Sequence, residues 1–473
     1  MKKLTNVLAV MLALVMCLCV VAACGEKDTE NNDNANTTAN TTTPSVTTTT
    51  AQDTTTADTT TNEGNNFIEA PTVDVPADGM IKDAAQLHAV LVNGVATANY
   101  TVTAQTLDMS DYKWTGLTNY SGTFDFGGCV ISGAAYSFFN SVNGATIKNL
   151  TLANCEFIYT DDMSQADPNY GIVSTDTNPN NKYFAPVVRV GTNFTVTDVV
   201  VESTVKIKIE IWTAASSQGG IIGMAYGENS IVENCTFKGE LVTDSMDTYI
   251  GGIVGEMLSS SADSIDTTDF YNSAVRIVNC VNTGTVSNLN TSNENSQTGG
   301  INGRILNGVV LDCSNSGTIT CNDGGQTAGI TSYVGGDSYV KNCINTGEIT
   351  GNTWTGGICG YSNAKGKTRV FENCINLGKV TSTRSSSYGG IIGLYKMTET
   401  MTNCFNLTTA VEQFAYADEA KTACNPADSA THGSGTITDC SNLATIDEIF
   451  TAIDNLVPGV FEKANGTIVL AGK

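Results

Sequence analysis

Histidine is nearly missing: the 473 residues hold two, His88 and His432. Isolated histidines are more often structural or solvated than catalytic, so imidazole base chemistry has little to draw on. Basic residues are scarce as well, 23 Lys and Arg against 47 Asp and Glu, for a formal net charge of −24. That balance excludes a nucleic-acid partner and disfavours anionic membrane surfaces and polyanions. Lysines and arginines are also scattered, which argues against the clustered cations a lyase needs for an acidic sugar polymer. No nucleophile elbow, P-loop or dinucleotide fingerprint is present, and no cysteine pair has the CxxC spacing of a zinc site. Beyond Val21 no segment is apolar enough to cross a membrane.

The first residues are a separate object. Lys2 and Lys3 precede an almost wholly apolar run from Val7 to Val21, and Val21-Ala22-Ala23-Cys24 follows. The run is shorter than the roughly 18–20 residues a spanning helix needs, which favours a cleaved signal. Small residues directly before a cysteine resemble the lipobox of bacterial lipoproteins. The resemblance implies a signal peptide over 1–23, lipid on Cys24, and anchorage on the extracellular face of the cell membrane. Residues 24–66 are then nearly all Thr, Asn, Asp, Glu, Ser and Ala. Such a composition cannot bury enough apolar surface to offset ordering entropy, so a disordered tether is expected. At random-coil dimensions its ends lie roughly 35 Å apart, enough to carry a domain through the wall.

The rest is one repeating body. One element is Gly219-Gly220-Ile221-Ile222-Gly223, which returns at Gly251, Gly299, Gly356 and Gly389, and as Ala328-Gly329-Ile330. The other is an apolar residue, a variable one, Asn or Asp, then cysteine, ending at Cys235, Cys280, Cys313, Cys343, Cys374, Cys404 and Cys440. Cysteine spacings are 45, 33, 30, 31, 30 and 36, within the range of stacked solenoid units. Short, glycine-punctuated strands exclude helical repeats, and units of this length are too short for a four-stranded propeller blade. The fold class expected is all-β: a right-handed parallel β-helix with coils of about 30 residues, about three strands each, and short helical caps.

Faces can be assigned within a coil. The residue three before each cysteine is large and apolar while the next is usually polar (Glu233, Lys341, Glu372, Thr402), which is strand alternation. Asn or Asp before the cysteine predicts a bend in left-handed backbone. Asn282, Asn315, Asn345, Asn376, Asn406 and Asn442, two residues beyond it, predict a stacked amide ladder at a corner. Gly-Gly predicts a tight corner. The boundaries expected are an N-terminal cap region over 67–118, coils over 119–440 and a C-terminal cap over 441–473. Asp83 to Val92 and Ile446 to Leu456 read as helices, and Thr467 to Leu470 as a last strand. The alternation over residues 81–473 resembles the GLUG-motif family of bacterial surface proteins. So does Ser121-Gly122-Thr123-Phe124-Asp125, although Phe126 and Gly127 interrupt the usual phrase. The resemblance implies fold more than activity.

Twelve cysteines follow Cys24. Equivalent residues on stacked parallel strands lie about 4.8 Å apart with parallel side-chain directions, unlike the convergent geometry of a disulfide. A column of buried thiols is therefore expected, with Cys321 and Cys424 off the repeat position. Function in solenoids sits in insertions. One insertion carries Asp161, Asp162, Asp167 and Tyr170, the other Asp263, Asp266, Asp269 and Tyr271. Carboxylates beside aromatics suit a glycan or calcium, though solvated loops are the default. No other cofactor is implied, and no catalytic residue is assigned. The tryptophans Trp114, Trp212 and Trp354 are expected at the edge of the core rather than on a sugar platform. The reading is a monomeric, lipid-anchored binding or adhesion protein for a glycan or a surface protein. The alternatives are a polysaccharide lyase or glycoside hydrolase on this scaffold, and a wall spacer.

Overall fold

A computed structural model of the chain describes residues 70–160, 182–210, 216–259, 274–292, 295–363, 367–383, 387–417, 422–424, 426 and 435–472. Strands of successive coils pair in parallel and build four faces. Face 1 is the 21-stranded sheet, and in one coil it carries Val275–Val278 and Val281–Asn282. Face 2, seven strands, carries Thr285–Asn288. Face 3, also seven strands, carries Gln297–Gly299, and face 4, ten strands, carries Asn302–Leu306. The architecture is the expected parallel β-helix, with four strand-bearing sides per coil rather than three. One antiparallel pairing interrupts it, Ala415–Ala417 with Thr422–Cys424 at the far end of face 4.

The Asn and Asp bends divide face 1 as the sequence predicts. Asn234, Asn279, Asp312, Asn342, Asn373, Asn403 and Asp439 all have φ between 52° and 56°, a region that short polar side chains tolerate. Their side chains also bond from coil to coil: Asn342 donates to Asp312 Oδ1 (2.8 Å), Asn373 to Asn342 (2.8 Å) and Asn403 to Asn373 (2.9 Å).

The second amide column is the predicted ladder, and it lies inside the barrel. Asn282 donates to Asn315 (2.7 Å), Asn315 to Asn345 (2.8 Å), Asn345 to Asn376 (2.9 Å), and Asn376 to Asn406 and Asn406 to Asn442 (each 3.0 Å). Asn315, Asn345 and Asn376 use their second N–H on the carbonyl of Gly317, Gly347 and Gly378. Each of these three amides is thereby satisfied in a dry interior, as a buried polar group must be. The glycine is fixed by space: a Cβ on Gly347 would sit 2.0 Å from the Gly317 carbonyl oxygen.

Gly-Gly proves to serve close approach more than turn conformation, since none of these glycines has positive φ. The second glycine of the pair abuts the ladder. A Cβ on Gly300 would stand 2.6 Å from Asn315 Oδ1, on Gly329 2.3 Å from Asn345, and on Gly390 1.9 Å from Asn406. The corner between faces 3 and 4 therefore reaches across the coil to the wall of face 1. It points inward, and the outer surfaces of faces 3 and 4 turn toward each other.

The core is continuous from Ile81 to Cys440. Seven cysteines line up in it in face 1, one per coil from Cys235 to Cys440, each 9% exposed or less. Each of the seven is a free thiol, and their Sγ–H groups point at backbone carbonyls, as Cys343 does at Lys341 O (3.2 Å). Parallel pairing begins ahead of residue 119, with Met80 opposite Thr101 and Tyr100 opposite Phe124. These first coils lack the cysteine repeat because aromatics fill them: Phe124 and Phe126 lie 4.6 Å apart, and Tyr100 and Phe124 5.6 Å. Helix α1, Ala84–Asn93, starts at the cap Asp83 and buries Leu87, Val90 and Leu91 in the same core.

Helix α2, Ile446–Leu456, has a Thr445/Glu448 capping box. The strand Thr467–Leu470 pairs antiparallel with Phe461–Ala464. Together they extend the expected cap sideways, because Ile449, Ile453, Phe461, Ile468 and Leu470 pack on Ile344, Ile375 and Phe405 of face 1. Ending the chain after Leu443 would bare those three side chains, each worth about 1.5–3 kcal/mol of burial. We expect the shortened protein to elute as aggregate in size exclusion. A monodisperse, equally heat-stable product would show that the segment is dispensable.

Candidate functional site: the groove between faces 3 and 4

The inward corner makes a groove along the solenoid axis, walled by one outward column from each face. On face 3 the register runs Tyr183, Ser217, Tyr249, Gln297, Gln326. Trp354 comes next, one residue ahead of Thr355, which pairs with Thr327. On face 4 it runs Met224, Glu256, Arg304, Tyr333, Tyr361, Leu394.

The walls touch across the groove at three levels. Ser217 Oγ donates to Glu256 Oε2 (2.9 Å). The Arg304 guanidinium lies 4.6 Å from the Tyr249 ring centre and 5.7 Å from that of Tyr333, with Nη1 3.6 Å from Glu256 Oε1. Trp354 packs on Tyr361 at 4.7 Å, Tyr361 meets Tyr333 edge-on at 5.7 Å, and Lys396 Nζ stands 5.6 Å from the Tyr361 ring. Each cation rests on an aromatic face, an arrangement worth about 0.5–2 kcal/mol that also holds the rings in place. Burial raises the Tyr333 pKa, opposed by Arg304, so its hydroxyl stays protonated at neutral pH. Tyr249, Arg304, Tyr333, Trp354 and Lys396 are half-buried.

Between the rings sit two amides. Gln326 is 3% exposed and Gln297 9%, and the Oε1 of each has no hydrogen-bond partner. An unpaired buried acceptor costs about 1–3 kcal/mol. Glu256 is the one carboxylate among the described residues of these two columns. Hydrolysis of a glycosidic bond ordinarily needs a convergent pair.

Of the residues singled out from sequence, Cys24, Asp161, Asp162, Asp167, Tyr170, Asp263, Asp266, Asp269 and Tyr271 lie outside the described residues, as do Trp212, His432 and the segment 25–66. The first insertion joins the face 2 strand Glu156–Thr160 to the face 3 strand Lys182–Phe184. The second joins the face 4 strand Val254–Leu258 to the face 1 strand Val275–Val278. Among the described residues no three His, Cys, Asp or Glu side chains gather as a metal site. Trp114 is fully buried, its Nε1 donating to Ser137 O (2.9 Å), which is the core role expected of it. His88 is buried in α1 with Nε2 2.8 Å from Lys113 O, a structural position. Trp354 departs from expectation, being a wall of the groove.

The sequence does carry a signal for both columns. Every face 3 residue from Ser217 onward stands two positions before the first residue of a repeat triplet, and every face 4 residue from Met224 onward stands five after it. The offset is constant but the residue type is not, so no single side chain marks either column as the glycines mark the repeat.

No known protein family matches the chain, and no curated protein does. Among solved structures, one that matches is a putative immunoglobulin A1 protease from Bacteroides ovatus, 18% identical, with a TM-score of 0.39, covering 83% of this chain and 91% of that one.

Proposed function

We propose that this chain is a non-catalytic recognition module, held outside a bacterial cell by lipid on Cys24 and a polar tether, whose groove between faces 3 and 4 takes a glycan. The observation that carries the reading is the column Tyr249, Gln297, Gln326, Trp354 facing Tyr333 and Tyr361. Sugar rings present apolar C–H faces that stack on aromatics and a hydroxyl rim that bonds amides, and this groove offers both. The lone carboxylate in the walls and the scarcity of histidine support binding without turnover. The net charge of −24 keeps the module soluble and turns away polyanions.

The full chain in detergent, incubated with plant, mucin and cell-wall polysaccharides, is expected to be pulled down without release of reducing ends or unsaturated products. Trp354→Ala and Tyr361→Ala each remove an aromatic anchor, and the loss expected is about tenfold or more in affinity, roughly 1.4 kcal/mol. Turnover of any polysaccharide would overturn the non-catalytic reading, and unaltered binding by both variants would displace the site.

A further inference from the structure

The two glutamines say more about the ligand than the rings do. Gln297 and Gln326 are Cα partners on adjacent coils, so their amides repeat at one strand spacing, about 4.8 Å. Both are more than nine-tenths buried, and both leave a carbonyl oxygen unpaired. Two identical unpaired acceptors at one coil step, bracketed in the same column by Tyr249 and Trp354, form a ruler. We infer that the ligand is a linear, neutral glycan lying along the solenoid axis, with donors on successive sugar rings completing Gln297 and Gln326 in turn; this rests on the glycan reading above.

Three observations select this occupant. Gln297 Oε1 and Gln326 Oε1 have no donor within hydrogen-bond reach, so the ligand must donate to them. Sugar hydroxyls do so, whereas a proline-rich peptide, the other usual guest of aromatic grooves, offers mainly carbonyls. An acidic glycan would bring further acceptors to a protein of charge −24, and Arg304 already faces Glu256 across 3.6 Å. The direction follows from the columns. The column Tyr249 to Trp354 spans four consecutive coils lengthwise, whereas across the groove the walls stand only one ring contact apart, Arg304 on Tyr249 and Tyr361 on Trp354.

The test is a chain-length series on the full protein. Neutral linear oligosaccharides from disaccharide to hexasaccharide, acidic and branched glycans, and a proline-rich peptide are arrayed, and affinities are measured for the parent, Gln297→Leu and Gln326→Leu. Affinity is expected to rise at least tenfold from disaccharide to tetrasaccharide in a neutral linear series, and to fall at least tenfold in each variant. Replacing an unpaired buried carbonyl with an apolar group of similar shape is neutral or stabilising, so Tm should hold or rise. That separates lost recognition from lost folding. Length-independent binding, preference for acidic or branched glycans, or full affinity in the leucine variants would overturn this inference and leave glycan recognition standing. Binding of the peptide alone, or of no glycan at all, would overturn both.

Discussion

Raising the pH should unfold this protein cooperatively between about pH 9 and pH 11. The cause is the thiols. Burial lifts the pKa of Cys129, Cys155 and Cys321 from 9.0 to about 11. Burial raises Cys280, Cys343, Cys359, Cys374 and Cys404 as well. Cys440 is raised first by its hydrogen bond with Cys404 and then by burial. A raised pKa means that the native state holds the proton the unfolded chain gives up. The stabilisation is therefore complete below the ordinary thiol pKa and is lost as pH climbs through and beyond it. Each such thiol costs about 1.4 kcal/mol per pH unit. Nine acting together remove roughly 13 kcal/mol within one unit, comparable with the 5–15 kcal/mol that holds a typical domain. Circular dichroism against pH gives the midpoint, which should move up in the double variant Cys343→Val, Cys374→Val. A fold that survives well past pH 11, or a denatured sample with few free thiols in the absence of reductant, would discard the thiol column.

Asn345→Asp is the substitution expected to do most harm for its size. Asn345 donates to Asn376 Oδ1 and to Gly347 O, and its own Oδ1 accepts from Asn315, all of them buried. A carboxylate there keeps the accepted bond, loses both donated ones, and faces two oxygens as a buried charge. The cost should be about 3–5 kcal/mol at neutral pH. Its pKa would be raised, so stability should return on acidification toward pH 4, the ordinary carboxylate range. The same change at Asn234, in the bend column, should cost under about 1 kcal/mol, because Asn234 is exposed, its Oδ1 only accepts, from Asn279, and Asp312 and Asp439 already occupy equivalent sites. Urea midpoints for the two variants decide the matter. Equal losses would mean that the two amide columns do not differ in burial or satisfaction.

Much of this was legible in the residues. The Asn-Cys phrase gave the bend, the inward thiol and the ladder, because each is a one-residue decision repeated coil after coil. The extents of α1 and α2 followed from caps and apolar spacing. What the residues concealed was where one repeat meets the other. Gly300 and Asn315 are fifteen positions apart, and nothing local says that the second glycine of one phrase lies on the amide of the next. Without that contact the corner between faces 3 and 4 could not be recognised as inward, and the column Tyr249, Gln297, Gln326, Trp354 stayed hidden. The covered patch on face 1 did leave a trace. The residue after the cysteine changes from Thr236, Val281 and Ser314 to Ile344, Ile375 and Phe405 where α2 and the hairpin lie across it.

The two amide columns run in opposite senses. The interior one passes its N–H groups toward the C-terminus, from Asn282 to Asn442, and the bend column passes its own toward the N-terminus, from Asn403 to Asp312. Their electric moments therefore oppose, and lengthening the solenoid by another coil adds little net polarisation along it. Growth by duplication of a coil is electrostatically cheap, so the length of such a protein can follow the length of whatever it must reach.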